Sequence, residues 1–356
     1  MKVGRLYWGW GLLGVGLLSL NTWAADRAAF DFFDASMVAR LNAEPTVQRS
    51  LLRRYNNILT KAPQAVADFS PSSHYTAQGV SEASLKESAS LKRDAKNTYD
   101  LGMCFAITGD PKYAAGIERV TSAWMTSLEG VHSRQGVATV NFMTPYMILG
   151  ASALGDRDPA WKRAFSHFLT EKILPLSKAD RAKNNHANWG NLLETSIAAF
   201  VGDEALLANA RKRWESLMTA QINADGELPL ELCRTNTNQY CSGPEKGIKG
   251  LEYTHYTLLP STITAYILAQ EGQPVWSTVG GEKLKAAYIK TASWVKDPST
   301  YPYWPQFKER VMGVDKCNYF WILNRYYPEA TMTDWLKTHQ PVADGFHLKA
   351  AFKVGN

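Results

Sequence analysis

The sequence has 356 residues, with 39 lysines and arginines against 33 aspartates and glutamates, and its formal net charge is +6. It contains no long block of lysine and arginine, which argues against a nucleic-acid-binding protein. Lys2 and Arg5 precede an apolar stretch at residues 8–20 that ends in small residues, the pattern of a secretory signal. Residues 1–24 are therefore predicted to be a cleaved signal peptide, with an uncleaved N-terminal anchor as the alternative.

Residues 25–356 are predicted to form a single domain, because the sequence has no linker long enough to divide them. No other segment is apolar over the length of a membrane span. The mature protein is therefore expected to be periplasmic or secreted, without stable membrane association. Loss of Lys2 and Arg5 lowers the formal charge from +6 to +4, a mild excess that suits an anionic partner.

The four cysteines are Cys104, Cys233, Cys241 and Cys317. Cys233 and Cys241 flank a short polar stretch, and in an exported protein they could close it as a disulfide loop. Cys104 and Cys317 lie in apolar runs and are either free core thiols or a second pair. The spacing matches no zinc site, and neither a metal nor another cofactor is expected.

Apolar residues recur at the i, i+3, i+4 spacing of helices, as in Ile117, Val120 and Trp124, while strand-like alternation is scarce. Three Gly-Asp pairs, at 109–110, 155–156 and 202–203, follow one another at intervals of 46 and 47 residues. Glycine can close one helix and aspartate can cap the next, so each interval fits a two-helix unit. The sequence therefore predicts an all-α chain of helical hairpins, arranged as a ring rather than an open solenoid.

Three polar clusters carry the candidate chemistry. Residues 183–189 read Lys-Asn-Asn-His-Ala-Asn-Trp at the entrance of an apolar helix, where one asparagine would satisfy capping. A second cluster spans residues 225–234 and a third spans 253–256. Together they supply an imidazole, phenols, amides and cations, which are the groups needed to remove a proton beside a carboxylate and stabilise the developing charge.

The chain resembles the alginate lyase domain family, which includes polysaccharide lyase family five, in three motifs: Asn184-Asn185-His186 followed by Trp189, Asp225-Gly226-x-x-Pro229-x-Glu231-Leu232-x-Arg234, and Tyr253-x-His255-Tyr256-x-Leu258. The resemblance spans roughly residues 70–327 and implies an incomplete (α/α) toroid. It also implies a polysaccharide lyase that cleaves a polyuronate, either alginate-like (polymannuronate) or glucuronan-like, by β-elimination. The product would carry a 4,5-unsaturated uronate end.

The resemblance implies catalytic roles for Asn185 and His186, which match the family residues that bind the substrate carboxylate and assist proton removal. Tyr256 matches the catalytic tyrosine. The family's arginine seven residues before that tyrosine is Lys249 here, and Arg234 could supply the guanidinium from the neighbouring loop. One tyrosine can act as base and then acid on D-mannuronate or D-glucuronate, whereas L-guluronate needs two groups; the base is left open between Tyr256 and His186.

Six side chains are assigned to substrate binding: Lys249, Trp189, His74, Tyr75, Tyr240 and His255. The resemblance places His74 and Tyr75 where a Ser-Lys-Tyr segment lines the family's cleft. Trp189 could stack on a sugar or pack between helices. His255 faces away from its neighbour if the segment is helical, because successive helical residues point in different directions.

Two other functions are open to the same sequence. A glycoside hydrolase on a helical ring would need an acid and a base carboxylate flanking the bond, for which Asp225 and Glu231 are the candidates. A non-catalytic uronate-binding protein of an exopolysaccharide system would need neither. In every case the expected partner is an anionic polysaccharide.

Overall fold

The computed structural model describes residues 29–43, 45–339, 341 and 345–352, so the predicted signal peptide lies outside the described residues. This part of the chain holds sixteen α-helices: α1 Ala35–Ala43, α2 Pro45–Asn56, α3 Glu82–Glu87, α4 Ala89–Thr108, α5 Pro111–Ser127, α6 Arg134–Ser152, α7 Pro159–Phe168, α8 Asn185–Val201, α9 Glu204–Gln221, α10 Pro229–Leu232, α11 Gly250–Gln270, α12 Val279–Lys296, α13 Trp304–Phe307, α14 Phe320–Tyr326, α15 Ala330–Thr338 and α16 Leu348–Phe352. Its two short strands are β1 Tyr75–Thr76 and β2 Gly79–Val80, which pair antiparallel. The all-α prediction is confirmed.

Four long helices form the inner layer of the fold. Helices α4, α6, α8 and α11 pack side by side in that order, while α5 lies against α4, α9 against α8, and α12 against α9. Every residue of 187–200 in α8 is buried, whereas α9 buries a single stripe that includes Leu207, Trp214 and Met218. The burial pattern of α8 is that of a helix enclosed on all sides, and the pattern of α9 is that of an amphipathic outer helix.

Two of the three Gly-Asp junctions have the predicted structure. Gly109 and Gly202 end α4 and α8 with φ angles of 66° and 76°, a left-handed conformation that costs glycine little. Asp110 and Asp203 then cap α5 and α9 by accepting hydrogen bonds from backbone N–H groups of the first turn. The helical-hairpin interpretation of this spacing is confirmed at both places.

The third junction was predicted wrongly at its aspartate. Gly155 has a positive φ of 53°, but α7 is capped by Asp158, which accepts from the backbone N–H groups of residues 160 and 161. Asp156 instead lies 2.7 Å from the ammonium of Lys162. Pro159 explains the shift, because proline suits the first helical position and places the cap at the residue before it.

Helices α4 and α6 approach each other backbone to backbone at two glycines. A Cβ at Gly102 would collide with the main chain of Gly150, and a Cβ at Gly150 would collide with the main chain of Thr98. Such an approach is open only to residues without a side chain. This crossing sets the separation of two inner helices that carry cleft residues at their N-terminal ends.

A disulfide joins Cys233 and Cys241, as predicted, and the described cysteines Cys104 and Cys317 are free and buried. The loop that the disulfide closes also touches the β1–β2 hairpin, because the backbone N–H of Asn238 donates to the Thr76 carbonyl at 3.1 Å. No helix in the described part of the chain combines the length and apolar character that a bilayer span requires.

Candidate active site

A cleft of about 820 Å³ opens at the N-terminal ends of the inner helices. Its walls come from α4, α6, α8 and α11, from β1, and from the disulfide loop. All ten residues that the sequence analysis assigned to the site line this one cleft: His74, Tyr75, Asn185, His186, Trp189, Arg234, Tyr240, Lys249, His255 and Tyr256. Residues that are up to 182 positions apart in the sequence are therefore brought to one place.

The three asparagines at the start of α8 have three different functions. Asn184 caps the helix, since its side-chain oxygen accepts from the backbone N–H of His186. Asn188 is buried and bonds Gln221 and Ser261, each at 2.9 Å, which ties α8 to α9 and α11. Asn185 is left to face the cleft, so capping accounts for one amide of the three.

Asn185 is held by the buried carboxylate of Glu231. Its backbone N–H donates to Glu231 Oε1 at 2.6 Å, and its Nδ2 lies 3.1 Å and 3.2 Å from the two carboxylate oxygens. An ionised carboxylate only accepts, so it fixes the amide with nitrogen toward Glu231. Burial raises the pKa of Glu231 to about 6, although Arg234, with Nη1 3.8 Å away, and Asn185 oppose the rise.

His186 presents a neutral imidazole at the second residue of α8. Burial, with the cations Lys178 and Arg234, lowers its pKa to about 4. Its Nδ1 makes no hydrogen bond to any described residue, and its ring packs on Phe142 with the centroids 5.2 Å apart. At neutral pH the imidazole is therefore uncharged, and one of its two ring nitrogens carries a lone pair that can accept a proton.

Tyr256 faces the same region from α11. Its ring centroid lies 5.4 Å from that of Phe142 and 5.1 Å from that of Trp189. Phe142 also contacts the His186 ring, with the centroids 5.2 Å apart. The distance between the His186 and Tyr256 ring centroids therefore cannot exceed the sum of their two distances to the Phe142 centroid. Burial raises the pKa of Tyr256 well above its usual range, so the phenol is protonated at neutral pH.

A second phenol, Tyr253, lies one turn before Tyr256 and was quoted in a motif but not assigned to the site. Its hydroxyl donates to the Tyr75 hydroxyl at 2.8 Å, and the Lys249 ammonium lies 3.3 Å from that same Tyr75 oxygen. The Arg234 guanidinium lies 4.0 Å from the Tyr253 ring centroid. This network connects β1, the disulfide loop and α11, and the one-turn spacing from Tyr256 was its only sequence signal.

Glu252 is the one carboxylate among the described residues that line the cleft. Its oxygens pair with the ammonium groups of Lys249, at 3.3 Å, and of Lys316. Burial alone would raise the pKa of Glu252, but these two lysines lower it below its usual value. The carboxylate is therefore ionised and partly neutralises its cations.

Trp189 and His255 form the wall of the cleft. The Trp189 indole is buried, and its Nε1 donates to the Tyr256 carbonyl at 3.0 Å. His255 is also buried, its Nδ1 lies 3.0 Å from the Tyr319 hydroxyl, and burial lowers its pKa to about 3. These contacts indicate that both side chains hold α11 in position and do not contact a sugar directly.

His74 and Tyr240 lie nearer the solvent. His74 is half-buried, 4.6 Å from Tyr75 between ring centroids, and its pKa is lowered by burial and by Lys92 and Lys249. Tyr240 is 59% exposed, and its ring centroid lies 5.3 Å from the Arg234 guanidinium. Both remain accessible to a bound polymer.

The carboxylate pair that a hydrolase would need is not assembled. Asp225 is exposed, lies in a turn where its backbone N–H bonds the Asn223 side chain, and is not part of the cleft wall. Glu231 is buried beneath Asn185. The expectation that these two carboxylates could flank a substrate bond is therefore wrong, because the chain turns Asp225 away to solvent.

Five cations of the cleft wall were missed by the sequence analysis: Lys92, Lys96, Arg134, Lys178 and Lys316. The first two are on α4, Arg134 is the first residue of α6, and Lys178 precedes α8. They belong to no common motif, so only the packing of the helices reveals that they share a surface.

Residues 46–301 match the family model described as alginate lyase, and no curated protein matches the chain. Among solved structures, the chain is similar to an alginate lyase from Bacteroides ovatus, with 17% identity and a TM-score of 0.72 over 92% of this chain and 100% of that one. It is also similar to alginate lyase A1-III from Sphingomonas species A1, with 16% identity and a TM-score of 0.66 over 92% of this chain and 98% of that one. A variant of A1-III complexed with a tetrasaccharide matches with the same values.

At these identities, the structural likeness establishes the fold, which is the (α/α) toroid that was predicted. The family model covers well over half of the chain, and its span includes the polar clusters at 183–189, 225–234 and 253–256. On this evidence the chain belongs to the alginate lyase family and is a polysaccharide lyase.

Proposed function

We propose that the protein cleaves an anionic polyuronate, of the alginate or glucuronan type, by β-elimination in this cleft. His186 and Tyr256 transfer the protons, and Asn185 with Arg234 or Lys249 holds the carboxylate of the reacting uronate. The observation that carries the proposal is a neutral imidazole and a protonated phenol that face one cation-lined cleft. The alginate lyases with similar structures, one of them complexed with a tetrasaccharide, support this substrate class.

The elimination needs no co-substrate. A base removes the proton at carbon five of the uronate, and its electron pair forms the double bond between carbons four and five. The bond from carbon four to the bridging oxygen breaks, and that oxygen receives a proton. Negative charge accumulates on the uronate carboxylate during the reaction, which is where the Asn185 amide and the nearby cations act.

The protonation states favour separate roles for the two proton-transfer groups. The lowered pKa of His186 leaves its imidazole free to accept the proton, and the raised pKa of Tyr256 keeps its hydroxyl able to donate one. On D-mannuronate or D-glucuronate, where the two events share a face of the ring, Tyr256 can perform both. Each route uses the Tyr256 hydroxyl at the leaving oxygen, so its removal tests both.

Hydrolysis is the less favoured chemistry for this cleft. A two-carboxylate mechanism needs a pair of acids on either side of the bond. The only carboxylate found in the described part of the wall is Glu252, and it is already engaged by Lys249 and Lys316. The described part of the wall therefore lacks the pair that hydrolysis needs, which is a carboxylic acid with a raised pKa opposite a free carboxylate base.

A panel of polymannuronate, polyguluronate, glucuronan and an alternating glycosaminoglycan tests the proposal. We expect ultraviolet absorbance of the conjugated product to rise together with reducing ends on at least one polyuronate, with a chelator present. Reducing ends without absorbance would indicate a hydrolase, and neither signal would indicate a binding protein. Either of these two results contradicts the proposal.

Export through a cleaved signal is also proposed, from the pattern of residues 1–24. Expression of the full chain in a bacterium, followed by fractionation, should recover the mature protein outside the cytoplasm. Its N-terminal sequence should begin after Ala24. Recovery of full-length protein with the membranes would indicate the uncleaved anchor instead.

A further inference from the structure

The disulfide loop, residues 233–241, holds an aromatic ring at the outer part of the cleft. Of the aromatic side chains in the described part of the chain, Tyr240 is the only one that is mostly exposed, at 59%. A single exposed apolar side chain is common on protein surfaces, so exposure alone does not mark a site. Tyr240 differs because its ring also lines the cleft that holds the reacting residues.

The backbone of Tyr240 is strained. Its φ angle of 55° lies in the left-handed region, which glycine adopts at little cost and a bulky residue seldom adopts. Two constraints hold it there: its carbonyl accepts from the backbone N–H of Thr235 at 2.6 Å, and the next residue, Cys241, is cross-linked to Cys233. Strain of this kind persists where the surroundings enforce it and is concentrated at functional sites.

The neighbours of the Tyr240 ring are those that a sugar requires. The Arg234 guanidinium lies 5.3 Å from the ring centroid and is itself buried, so much of the ring surface is left free. Asn238 is exposed and lines the same cleft, and its backbone N–H donates to the Thr76 carbonyl, which fixes this part of the loop to β1. An aromatic ring can pack against the C–H face of a pyranose, and an amide can bond its hydroxyl groups.

Tyr240 lies away from the reacting residues. The Arg234 guanidinium is 4.0 Å from the Tyr253 ring centroid, and the Tyr253 and Tyr256 centroids are 6.3 Å apart. Among the ring contacts of the described residues, none joins Tyr240 to Tyr253 or to Tyr256. Arg234 and Tyr253 therefore separate Tyr240 from the catalytic phenol, and the sugar that meets Tyr240 is a different one, nearer to solvent.

We propose that Tyr240 and Asn238 form a second sugar-binding position at the outer end of the cleft, where a pyranose ring of the polymer stacks on the Tyr240 ring. The inference rests on the proposed function, because the ligand is the polymer that the cleft cleaves. This position recognises the C–H face and the hydroxyl groups of a sugar, so it accepts a uronate or an uncharged sugar alike. Chains that extend past the reacting sugar to Tyr240 are therefore bound more tightly than shorter ones.

The experiment measures kcat and KM on an oligosaccharide ladder, from disaccharide to hexasaccharide, of the polyuronate that the panel identifies. In the parent protein, KM should fall in a step at the length that reaches Tyr240. Tyr240→Ala should remove the step and raise KM for the long substrates about fivefold to tenfold, with a smaller change in kcat. Tyr240→Phe keeps the ring and should keep the step.

Two further variants bracket this result. Asn238→Ala should raise KM on the same long substrates by about twofold to fivefold, because it removes an amide that bonds the sugar hydroxyls. Leu230→Ala is the matched control, since Leu230 is 52% exposed in the neighbouring segment but lies outside the cleft wall. Its KM should follow the parent at every length.

The backbone strain supplies a readout that a merely structural tyrosine would not give. Tyr240→Gly and Tyr240→Ala both lose the ring and should weaken binding of the hexasaccharide equally. Glycine accepts the φ angle of 55°, so Tyr240→Gly should melt about 1–3 °C above Tyr240→Ala and no lower than the parent. A Tyr240→Gly variant that melts below the parent and loses kcat on every substrate would show that the ring supports Arg234 instead.

An increase in KM that is equal for short and long substrates would overturn the inference, because it would show a general disturbance of the loop. An unchanged KM in Tyr240→Ala would overturn it as well. Failure of the proposed function is distinguishable, since it appears as absence of unsaturated product with the parent protein. In that case calorimetry with the hexasaccharide decides whether Tyr240→Ala weakens binding while Tyr240→Phe does not.

Discussion

Asn185 and Glu231 form one unit at the entrance of α8. The carboxylate accepts from both the backbone and the side-chain nitrogen of Asn185, at 2.6 Å and 3.1 Å, and lies buried behind it. Glu231 is thus a positioning residue: it orients the Asn185 amide, which lines the cleft, but Glu231 itself is not part of the cleft wall.

Glu231→Gln should lower kcat/KM by on the order of 10-fold to 100-fold, because the NH2 group that replaces one carboxylate oxygen cannot accept from Asn185 Nδ2, and because a neutral side chain leaves the charge of Arg234 uncompensated. The effect should depend on pH in the parent enzyme. Burial places the pKa of Glu231 at about 6, so the carboxylate is protonated, and its grip weakened, below that pH. An acid limb near pH 6 should be present in the parent and absent in Glu231→Gln.

The matched control is Glu227→Gln in the same segment, where Glu227 pairs with Lys290 at 3.4 Å outside the cleft. It should leave kcat/KM and its pH profile unchanged. Retention of full activity by Glu231→Gln would show that Asn185 needs no such support.

The imidazole of His186 should titrate near pH 4 in the free protein, as measured by NMR of its ring protons. Burial is the main cause, and Lys178 adds to it, so Lys178→Gln should raise the His186 pKa by relieving repulsion of the imidazolium. Lys212→Gln, on the outer helix α9, is the control and should cause no shift. A His186 pKa near 6.5 in the parent would contradict its assignment as a buried neutral acceptor.

Removal of the Cys233–Cys241 disulfide should loosen the loop that carries Arg234 and Tyr240 and contacts the β1–β2 hairpin. In Cys233→Ser/Cys241→Ser, the free energy of unfolding should fall by about 2 kcal/mol, and KM should rise. A reductant should reproduce both changes in the parent protein and have no effect on the double variant. An unchanged KM would mean that the loop keeps its position without the cross-link.

Gly102→Ala should reduce the free energy of unfolding by about 1–3 kcal/mol, because the added methyl group meets the main chain of Gly150, which cannot move aside without separating α4 and α6. Gly116→Ala in α5 is the control: its methyl group meets the flexible side chains of Leu101 and Leu59. Thermal melts of the two variants should differ clearly. Equal melting temperatures would show that the helix crossing adapts.

The candidate site residues that the sequence singled out belong to local patterns. Asn185 and His186 stand at the start of α8 and Tyr256 in the second turn of α11, each within a short motif, and all three line the same cleft. The hairpin period was visible because glycine and aspartate have fixed tasks at helix ends. At Asp156 the pattern failed, since a proline three residues later moved the cap to Asp158.

The remaining features depend on contacts between distant segments. Glu231 was considered from the sequence only as a motif residue and as a candidate hydrolase carboxylate, because its distance to Asn185 is set by the packing of α10 against α11 and of α11 against α8. Trp189 shares a helix with His186 at one-turn spacing, yet its burial could not be read from that spacing. The cations of α4 and α6 carry no motif, so no sequence signal distinguished them from solvated lysines and arginines.

The most direct test of the central claim compares Tyr256→Phe with Tyr253→Phe on the polyuronate that the panel identifies. The two phenols are one turn apart on α11, and each variant loses a single hydroxyl oxygen. Tyr256→Phe should lower kcat by roughly 10³-fold with little change in polymer affinity, whereas Tyr253→Phe should retain most activity. Turnover by Tyr256→Phe within a few-fold of the parent would contradict the account.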